Sequence, residues 1–563
     1  MNSKNRIVIV GGVACGPKAA ARARRCDPSA KIAVIEEGNL ISYASCGLPY
    51  YVSGLIQKRN ALLVRSAQDF KSISDIDVML QTRVESIDRA GHRLNLTNLS
   101  TGQSSKIDYD KLVLATGANP VKPALEGREL GGIFSVKDVT DADAILAWVN
   151  ALGGGKAVVV GAGLIGIEMT DVLSSRGLSV TLVEALGNVL PGALEAEIAA
   201  PLAKSLNKKG VILRLGERVS RFEGEAGRVR RVVTEGAIID ADVAIVAIGV
   251  RPNVRLAREA GLTIGTTGAI AVNEMLQTSD PDIYAGGDCV ENSHLVTGKP
   301  VFAPMGSTAN KHGRVIGTNV TGGKDTFPGV LGTTVVKALD YHVGRTGLGE
   351  NEARAAGFDV VTALVPGPDH VNYYPASRDI LLKLVADKKT GRLLGGQGLG
   401  RGDLAKRIDV LATAITYGGT VDSLANLDLG YAPPYNTPMD PIHNAANTIR
   451  NKIAGMAESL SLAQVKERLD SGEDFVLLDV RGQKEWDTWR IEGQQVRLIP
   501  QNVLMSRLAE LPKDKPIVTT CRGGTRAYQA ARMLKGAGFK DVKFAEGCLI
   551  AWPYECFGGD KEQ

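Results

Sequence analysis

The sequence predicts an α/β protein with two Rossmann-like dinucleotide-binding domains, an α+β domain and a separate C-terminal α/β domain. Three observations lead to this fold class. A strand, a glycine-rich turn, a helix and a second strand ending in an acid occur twice before residue 190; mixed strands and helices follow from about 330 to 450; a new α/β pattern begins after a weakly patterned stretch between 450 and 460. The predicted domains are residues 1–150 with 252–328, residues 151–251, residues 329–450, a linker at 451–459, and residues 460–563.

The first dinucleotide unit opens with a strand from Arg6 to Val10, which leads into the turn GGVACG and an Ala/Arg-rich helix. A second strand over residues 31–35 ends at Glu36. A pyrophosphate binds backbone N–H groups at such a helix N-terminus, and an acid after the second strand accepts hydrogen bonds from ribose hydroxyls. Val13 replaces the middle glycine of the usual GxGxxG, which would hinder a standalone NAD site. The turn residues assigned to the nucleotide are Gly11, Gly12, Val13, Ala14 and Gly16.

The second unit carries the complete pattern, with a strand from Ala157 to Val160, the turn GAGLIG and a strand ending at Glu184. Alanine and leucine follow Glu184, so no arginine is placed to hold a 2′-phosphate, and the unit favours NADH over NADPH. The turn residues assigned to this site are Gly161, Gly163, Leu164, Ile165 and Gly166.

Composition narrows the function classes. A net charge of +5 over 563 residues does not indicate a nucleic-acid-binding protein. No apolar run is long enough to span a membrane, and the first residues lead directly into a strand rather than a signal peptide, so a cytoplasmic location is expected. Seven cysteines at wide spacings do not form a disulfide framework, and without a CxxC pair or a zinc-type cluster we expect no metal site.

Cys46 lies in the stretch SYASCGLPYY, which contains no charged residue. Such a stretch suits either a buried structural cysteine or a reactive thiol beside a cofactor. Tyr51 occupies the position where a CxxxxC motif would have its second cysteine. A single redox cysteine must complete its disulfide with a substrate thiol or cycle through sulfenic acid.

Two further segments, LVLATGANP and TSDPDIYAGGDCV, make residues 1 to about 450 resemble the two-dinucleotide-fold flavoprotein disulfide reductases. The resemblance implies that the first unit binds FAD and the second binds the nicotinamide cofactor. It also implies that an acid, here Asp288, contacts the ribityl chain, and that Cys15 is a small filler in the glycine turn. The remaining residues assigned to the cofactor sites are Glu36, Glu37, Ser45, Val84, Ala115, Thr116, Gly117, Gly249, Gly287 and Ala309.

The stretch around Cys46 resembles the SFxNCGLPY segment of coenzyme A disulfide reductases, and also the SFLSCG segment of NADH oxidases and peroxidases. HVNYYPAS and YAPPYNTP resemble two further segments of the reductases. There, one tyrosine from each points at the redox sulfur of the partner subunit, which assigns Tyr373 and Tyr431 and implies a homodimer. The resemblance also implies coenzyme A as substrate or resident carrier. The residues assigned to it are Arg22, Arg25, Ser42, Lys71 and Asn310.

The C-terminal segment CRGGTR follows a predicted strand and precedes a predicted helix. With LLDVRGQKEW upstream and EGCLIAWP downstream, it resembles the active loop of single-domain rhodaneses. Loop N–H groups and the helix N-terminus would lower the pKa of Cys521 and stabilise a persulfide. Arg522 and Arg526 would add positive charge near an anionic donor. Cys548 and Cys556 are expected to be structural, although Cys548 lies in a loop near the site and its role can be tested.

The two halves together predict NADH-driven, FAD-dependent reduction of persulfide, polysulfide or coenzyme A disulfide through Cys46, coupled to sulfane-sulfur transport on Cys521. One alternative is an NADH oxidase or peroxidase that cycles through a cysteine sulfenic acid. That group usually has a histidine in the first glycine turn, where Ala14 stands here. Another alternative is a sulfurtransferase whose reductase half only regenerates thiols.

Overall fold

A computed structural model describes residues 5–558. Within this range the chain forms two compact units. The first comprises the residues up to Ala185 together with Glu217–Val330, and the second comprises Leu186–Gly216 together with the residues from Leu331 onward. None of the helices between residues 5 and 558 combines the length and apolar character needed to cross a bilayer.

The elements of the first half of the chain follow the predicted order closely. They are β1 Arg6–Val10, α1 Cys15–Cys26, β2 Lys31–Ile35, α2 Leu48–Ser53, α3 Ala67–Ser74, β3 Ile76–Met79, β4 Thr82–Asp88, β5 Arg93–Asn98, β6 Ser104–Asp108, β7 Lys111–Leu114, β8 Ala118–Pro120, β9 Ile133–Phe134, α4 Val139–Leu152, β10 Lys156–Val160, α5 Leu164–Ser175, β11 Ser179–Glu184, α6 Ala196–Lys208, β12 Ile212–Leu215, β13 Val219–Glu225, β14 Arg228–Thr234, β15 Ile238–Asp240, β16 Val243–Val246, β17 Val250–Pro252, α7 Arg255–Glu259, β18 Ile283–Ala285, β19 Asn292–Ser293, β20 Pro300–Val301 and α8 Gly306–Asn319.

The first sheet of the first unit is entirely parallel, with strand order β18-β7-β1-β2-β3. Val10 at the end of β1 is paired with Ile35 of β2 and with Leu114 of β7. The residues that follow these strands therefore meet at one edge of the sheet, which is where α/β folds bind nucleotides. The core of this sheet is apolar on both faces, as expected for parallel strands covered by other elements.

The second dinucleotide sheet repeats this arrangement. Its strands in the first unit follow the order β11-β10-β16-β9 and are parallel. Val160 of β10 is paired with Val183 of β11, so the glycine turn and Glu184 lie at the same edge. Two three-stranded antiparallel sheets, β4-β5-β6 and β13-β14-β15, complete the larger elements of this unit.

The remaining elements lie in the second unit. They are β21 Thr334–Ala338, β22 Tyr341–Gly347, α9 Glu350–Ala355, β23 Val360–Pro368, β24 Asp379–Asp387, β25 Leu393–Gly400, α10 Ala405–Thr416, α11 Val421–Ala425, α12 Pro441–Ile453, β26 Ser459–Leu460, α13 Leu462–Asp470, β27 Val476–Asp479, α14 Gln483–Thr488, β28 Val496–Leu498, β29 Ile517–Thr520, α15 Thr525–Gly536 and β30 Val542–Ala545.

An antiparallel sheet of order β21-β22-β25-β24-β23 forms the centre of residues 334–400. Its strand β24 carries Lys383, which is buried. The Lys383 ammonium lies 2.8 Å from Glu195, 2.5 Å from Glu197 and 2.7 Å from Glu350. These ion pairs fasten α6 to the sheet, which explains why residues 186–216 cluster with the second unit, although the sequence places them in the 151–251 domain. The ammonium also satisfies a carboxylate cluster that would otherwise resemble a metal site.

The C-terminal sheet is parallel, with order β26-β30-β29-β27-β28. The predicted capping box is confirmed, because the Ser461 hydroxyl accepts from the Gln464 N–H at the start of α13. The predicted linker is shorter than expected. Residues 451–453 continue α12 as its last turn, beyond the last buried residue, Ile449.

Candidate functional site

The first glycine turn has the geometry of a nucleotide site. Gly11 has a φ of +112°, and a Cβ on it would lie 2.1 Å from the Ala115 carbonyl oxygen. A side chain at Gly16 would clash with the Gly11 carbonyl at 1.9 Å. Helix α1 therefore begins directly under the turn, with Val13 and Ala14 preceding it. The predicted acid, Glu36, accepts hydrogen bonds from the Gly12 N–H at 2.6 Å and from a second backbone N–H after β2.

Asp288 shows that this site fits FAD. It follows β18 at the same edge of the sheet, and burial raises the pKa of its carboxyl. Its Oδ1 is buried and has no hydrogen-bond partner among residues 5–558. A buried acceptor of this kind requires a donor, and the hydroxyls of a ribityl chain would supply one.

Replacing Asp288 by Asn is therefore expected to weaken FAD binding. Asn keeps an acceptor oxygen but loses the charge, so the hydrogen bond falls from the charge-assisted range of about 1.5–3 kcal/mol to the neutral range of about 0.5–1.5 kcal/mol, which corresponds to a roughly fivefold to tenfold higher dissociation constant for FAD. The flavin absorbance retained after gel filtration and the affinity for added FAD measure the effect. Glu274→Gln, which changes an exposed carboxyl of the same unit, is the matched control. Full flavin retention in Asp288→Asn would contradict the assignment.

Other residues assigned to the flavin site lie around the same edge. The Thr116 hydroxyl donates to the Asn253 carbonyl at 2.6 Å and thereby holds the turn after β7. Glu37 forms an ion pair with Arg83, and Val84 is buried in β4. Ala115 and Gly117 flank Thr116, Gly287 precedes Asp288, Ala309 lies in α8 and Ser45 precedes Cys46. Gly249, by contrast, follows β16 of the second dinucleotide sheet. Their contacts with a cofactor stay predictions.

The second glycine turn leaves space where a pyrophosphate would lie. Gly161 has a φ of +100°, and a Cβ on Gly166 would meet the Gly161 carbonyl at 1.8 Å. A Cβ on Gly163 would meet nothing within 4 Å. Glu184 is buried and accepts from the Ala162 N–H at 2.7 Å. Leu164 and Ile165 form the first turn of α5, as predicted.

Cys46 is exposed and lies in a short 3₁₀ helix, Ser45–Gly47, that leads into α2. A Cβ on Gly306, the first residue of α8, would lie 3.8 Å from the Cys46 sulfur. The N-terminus of this longer helix therefore lies beside the Cys46 sulfur. Tyr51 donates from its hydroxyl to Asp143 at 3.0 Å and is not a redox partner.

The other cysteines near the first glycine turn are unsuited to redox chemistry. Cys15 and Cys289 are both buried, and desolvation raises the pKa of each thiol. A thiol that resists ionisation is a poor nucleophile. The interpretation of Cys15 as a small filler agrees with this environment.

Two of the residues assigned to coenzyme A lie in the second half of α1, and a third, Ser42, lies beside the first glycine turn. The Arg22 Nε donates to the Thr318 hydroxyl at 3.0 Å, whereas Arg25, one turn further along α1, is exposed. The N–H of Ser42 donates to the Gly12 carbonyl at 2.7 Å. Arg25 thus presents its charge to solvent, while Arg22 is partly committed to α8.

The other two are engaged locally. Lys71 pairs with Asp75 at 2.6 Å and with Asp77 at 2.9 Å, which reduces its value as a phosphate ligand. The Asn310 amide donates to the Gly306 carbonyl at 2.9 Å. Their role toward coenzyme A stays a prediction.

The two predicted tyrosines come together. The hydroxyls of Tyr373 and Tyr431 lie 3.3 Å apart, and the residues are 76% and 48% exposed. Large, exposed aromatic side chains with paired hydroxyls are available to a second molecule. The expected convergence of HVNYYPAS and YAPPYNTP is therefore present within one chain.

A buried arginine that sequence reasoning missed holds the two tyrosine loops together. The Arg407 guanidinium donates to the Asp369 carbonyl at 2.6 Å, to Asn436 Oδ1 at 3.1 Å and to Asp440 Oδ2 at 3.1 Å. Asp369 begins the loop that carries Tyr373, and the other two partners end the loop that carries Tyr431. The only signal in the sequence was an arginine on the apolar face of α10.

Cys521 lies directly after β29, at the start of the predicted loop. The Gly524 N–H points at its sulfur at 3.1 Å. A hydrogen bond from the Cys548 thiol, assisted by backbone N–H groups of the loop, lowers the pKa of Cys521 to about 6 although burial opposes this shift. The loop therefore stabilises a sulfur anion, as predicted.

The two arginines of the loop are less available to an anionic sulfur donor than predicted, because each is paired with a carboxylate. Arg522 donates to Asp379 Oδ2 at 2.5 Å, and Arg526 forms a two-pronged ion pair with Glu485 at 2.7 and 2.8 Å. Both charges remain close to Cys521 but are partly balanced by these carboxylates. The sequence could not show this, because Asp379 belongs to β24 and not to the C-terminal domain.

A cavity of about 260 Å³ lies beside this loop within the second unit. Leu549, Ile550 and Trp552 form part of its wall. Its charged lining consists of Lys204, Lys208, Arg378, Asp379, Arg401 and Arg522. This predominantly basic lining favours anions in the space next to the Cys521 loop.

Comparison with known proteins identifies three family patterns along the chain. The pyridine nucleotide-disulphide oxidoreductase family matches residues 5–308, its dimerisation domain matches residues 333–440, and the rhodanese-like domain matches residues 461–553.

Individual relatives agree with these patterns. The chain is 38% identical over 449 residues to the NAD(P)H coenzyme A polysulfide/persulfide reductase of Pyrococcus horikoshii, which covers 80% of this chain and 99% of the relative. A NAD-dependent persulfide reductase from A. fulgidus is 43% identical, with a TM-score of 0.93, and the match covers 97% of this chain and 100% of that one. The reduced CoADR-RHD of Bacillus anthracis is 36% identical, with a TM-score of 0.92, and the match covers 98% of each chain.

Proposed function

Because the chain belongs to the pyridine nucleotide-disulphide oxidoreductase family and continues into a rhodanese-like domain, we propose that it reduces S–S bonds of small sulfur compounds with NADH. The substrates are persulfides, polysulfides or the disulfide of coenzyme A. The observation that carries this proposal is the exposed single thiol Cys46, which faces the N-terminus of α8 and has no cysteine at position 51. The names of the relatives support the same substrate class.

Cys46 provides the nucleophile. FAD, when bound, supplies a two-electron couple between nicotinamide and sulfur. The Cys46 thiolate attacks the inner sulfur of a persulfide R–S–SH, so that hydrosulfide leaves and a mixed disulfide Cys46–S–S–R forms. Two electrons and one proton then return the thiolate and release R–SH. The sum is R–S–SH + NADH + H⁺ → R–SH + H₂S + NAD⁺, in which atoms and electrons balance.

The tyrosine pair supplies hydrogen-bond donors in a homodimer. The dimerisation domain supports this assembly. Tyr373 and Tyr431 of one chain serve Cys46 of the other, where a phenol can donate to the thiolate or give a proton to the leaving thiol. Their exposure in the single chain, and their positioning by Arg407, are consistent with completion of the site by a second copy.

The rhodanese-like domain supplies or accepts sulfane sulfur on Cys521. Anionic donors reach the loop through the basic cavity beside Arg522. Coenzyme A, bound near Arg22, Arg25 and Ser42, carries sulfur as its persulfide. Because both sites belong to one chain, the local concentration of the carrier is high at each.

A comparison of oxidants tests the proposal. NADH consumption by the FAD-loaded protein is measured anaerobically with coenzyme A persulfide, coenzyme A disulfide and polysulfide, and separately with peroxide and with dioxygen. We expect kcat/KM for the best sulfur substrate to exceed that for peroxide by about 100-fold or more, equivalent to ~2.7 kcal/mol of transition-state binding. Faster turnover with peroxide or dioxygen would instead identify an oxidase or peroxidase that cycles Cys46 through sulfenic acid.

A further inference from the structure

A second buried thiol, Cys548, lies beside the Cys521 loop. The sulfurs of Cys521 and Cys548 lie 3.9 Å apart, although the residues are 27 positions apart in the chain. Both are buried. Two backbone hydrogen bonds of 3.1 Å hold the segments together, from the Leu549 N–H to the Cys521 carbonyl and from the Ile550 N–H to the Arg522 carbonyl. The approach of the sulfurs is therefore built into the backbone.

The parallel sheet explains why the two cysteines meet. Thr519 of β29 is paired with Phe544 of β30, so both strands end at the same edge. Cys521 follows the first strand and Cys548 follows the second. Residues after neighbouring parallel strands share one site, which is where α/β folds place their chemistry.

The backbone of Cys548 is strained, although the residue carries a side chain. Its φ is +50°, in the left-handed region that favours glycine. Side chains in this region are strained, and such strain is concentrated at functional sites. A glycine would relieve the strain and would still fit the turn.

We propose that Cys548 is a resolving thiol for the persulfide of Cys521, an inference that rests on the proposed sulfur transport. The Cys548 sulfur attacks the inner sulfur of the persulfide, which forms the Cys521–Cys548 disulfide and expels hydrosulfide: Cys521–S–S⁻ + HS–Cys548 → Cys521–S–S–Cys548 + HS⁻. The S–S bond of the persulfide breaks and a new S–S bond forms. The sulfane sulfur gains two electrons, and the two thiols lose them.

The proton balance of this step agrees with the site. Burial, and next the hydrogen bond to Cys521, raise the pKa of Cys548, so this thiol holds the proton and needs a base in order to attack. The anionic outer sulfur of the Cys521 persulfide is that base and takes the proton as the inner sulfur is attacked. That proton leaves on hydrosulfide. The sulfurs must close from 3.9 Å to a bond of about 2.05 Å, which side-chain rotation at two adjacent loops can provide.

Small thiols regenerate the site. Two equivalents of a low-molecular-weight thiol reduce the Cys521–Cys548 disulfide and leave as their own disulfide, R–S–S–R. If the thiol is coenzyme A, this product is a substrate of the NADH-dependent half. The rhodanese-like domain would then release sulfide by itself and pass the oxidising equivalents to Cys46.

The test uses the full-length, FAD-loaded protein without NADH or added thiol. The reduced protein is charged with thiosulfate, and released sulfide and cysteine linkages are measured. Cleavage after Glu546 and Glu555 separates Cys548 from Cys556 and makes the assignment unambiguous. We expect wild type to release about one sulfide per chain and to yield a Cys521–Cys548 cross-linked peptide, as the balanced step requires.

Variants distinguish the resolving role from a structural one. Cys548→Ser and Cys548→Gly should keep one added sulfur atom on Cys521 and release no sulfide; the glycine variant also suits the positive φ and guards against misfolding. Cys556→Ser, which changes the half-buried cysteine beside Trp489, should behave as wild type.

Two outcomes overturn the inference, and they have different consequences for the proposed function. A wild-type protein that takes up sulfur on Cys521 but retains it without a cross-link excludes the resolving role and leaves the proposed function intact. A protein in which neither wild type nor Cys548→Gly takes up sulfur from thiosulfate or coenzyme A persulfide contradicts the sulfur-transport half of the proposed function.

Discussion

Cys46→Ser is expected to abolish NADH-driven reduction of coenzyme A persulfide, with a loss in kcat of about 10⁴-fold or more, as for removal of other catalytic nucleophiles. A serine hydroxyl can neither form the mixed disulfide nor leave as a stable anion at neutral pH. FAD should remain bound, because its predicted contacts lie at Asp288 and the first glycine turn. Anaerobic NADH consumption and the flavin spectrum measure both properties.

A matched control separates this effect from general thiol loss. Cys26 is exposed like Cys46, but it is the last residue of α1 and so lies at the C-terminus of a helix and not beside an N-terminus. Cys26→Ser should keep wild-type turnover. If Cys46→Ser retains substantial persulfide turnover, electrons reach the substrate by a route other than the proposed thiol.

Cys521→Ser is expected to lower the rate of sulfur transfer from thiosulfate to cyanide by about 10³-fold or more, because the persulfide cannot form. Reduction of coenzyme A disulfide by NADH should be unchanged and provides an internal control. In wild type the pKa of Cys521 is lowered to about 6, so the thiolate predominates at pH 7 and sulfur uptake should fall about tenfold per pH unit below pH 6. The rate of sulfur uptake from thiosulfate, measured between pH 4.5 and 8, tests this acid loss. This range extends about 1.5 pH units below the pKa of Cys521 and about 2 units above it.

The result that would count against this assignment is sulfur transfer by Cys521→Ser at a rate close to wild type. Cys548 or Cys556 would then be the acceptor. If the serine variant shows the same loss of sulfur uptake at low pH, the group that titrates is not Cys521.

Much of the candidate site follows from local sequence patterns. The glycine turns, Glu36, Glu184 and the CRGGTR loop were all assigned correctly to strand ends and helix starts, because strand, turn and helix are set by residues close together in the chain. The boundaries were less accurate. Helix α1 starts at Cys15, inside the predicted turn GGVACG, and α12 continues through residue 453 into the expected linker.

Contacts between distant segments were not predictable. The ion pair of Arg522 with Asp379 and the role of Arg407 depend on elements that lie far apart in the chain. The same holds for residues 186–216, which cluster with the second unit through the ion pairs of Lys383. A buried charge needs a partner, but the sequence shows neither which charges are buried nor which partner each one has.

The sequence by itself determined the class of chemistry: two nucleotide turns, one redox thiol without a partner at position 51, and a sulfur-carrying loop around Cys521. Each depends on residue type and spacing within one strand–turn–helix unit. Only the tertiary structure decided that Asp288 keeps an acceptor for a ligand and that Cys548 lies 3.9 Å from Cys521. The reason is that strand order and packing, not spacing along the chain, determine which strand ends share an edge of a sheet.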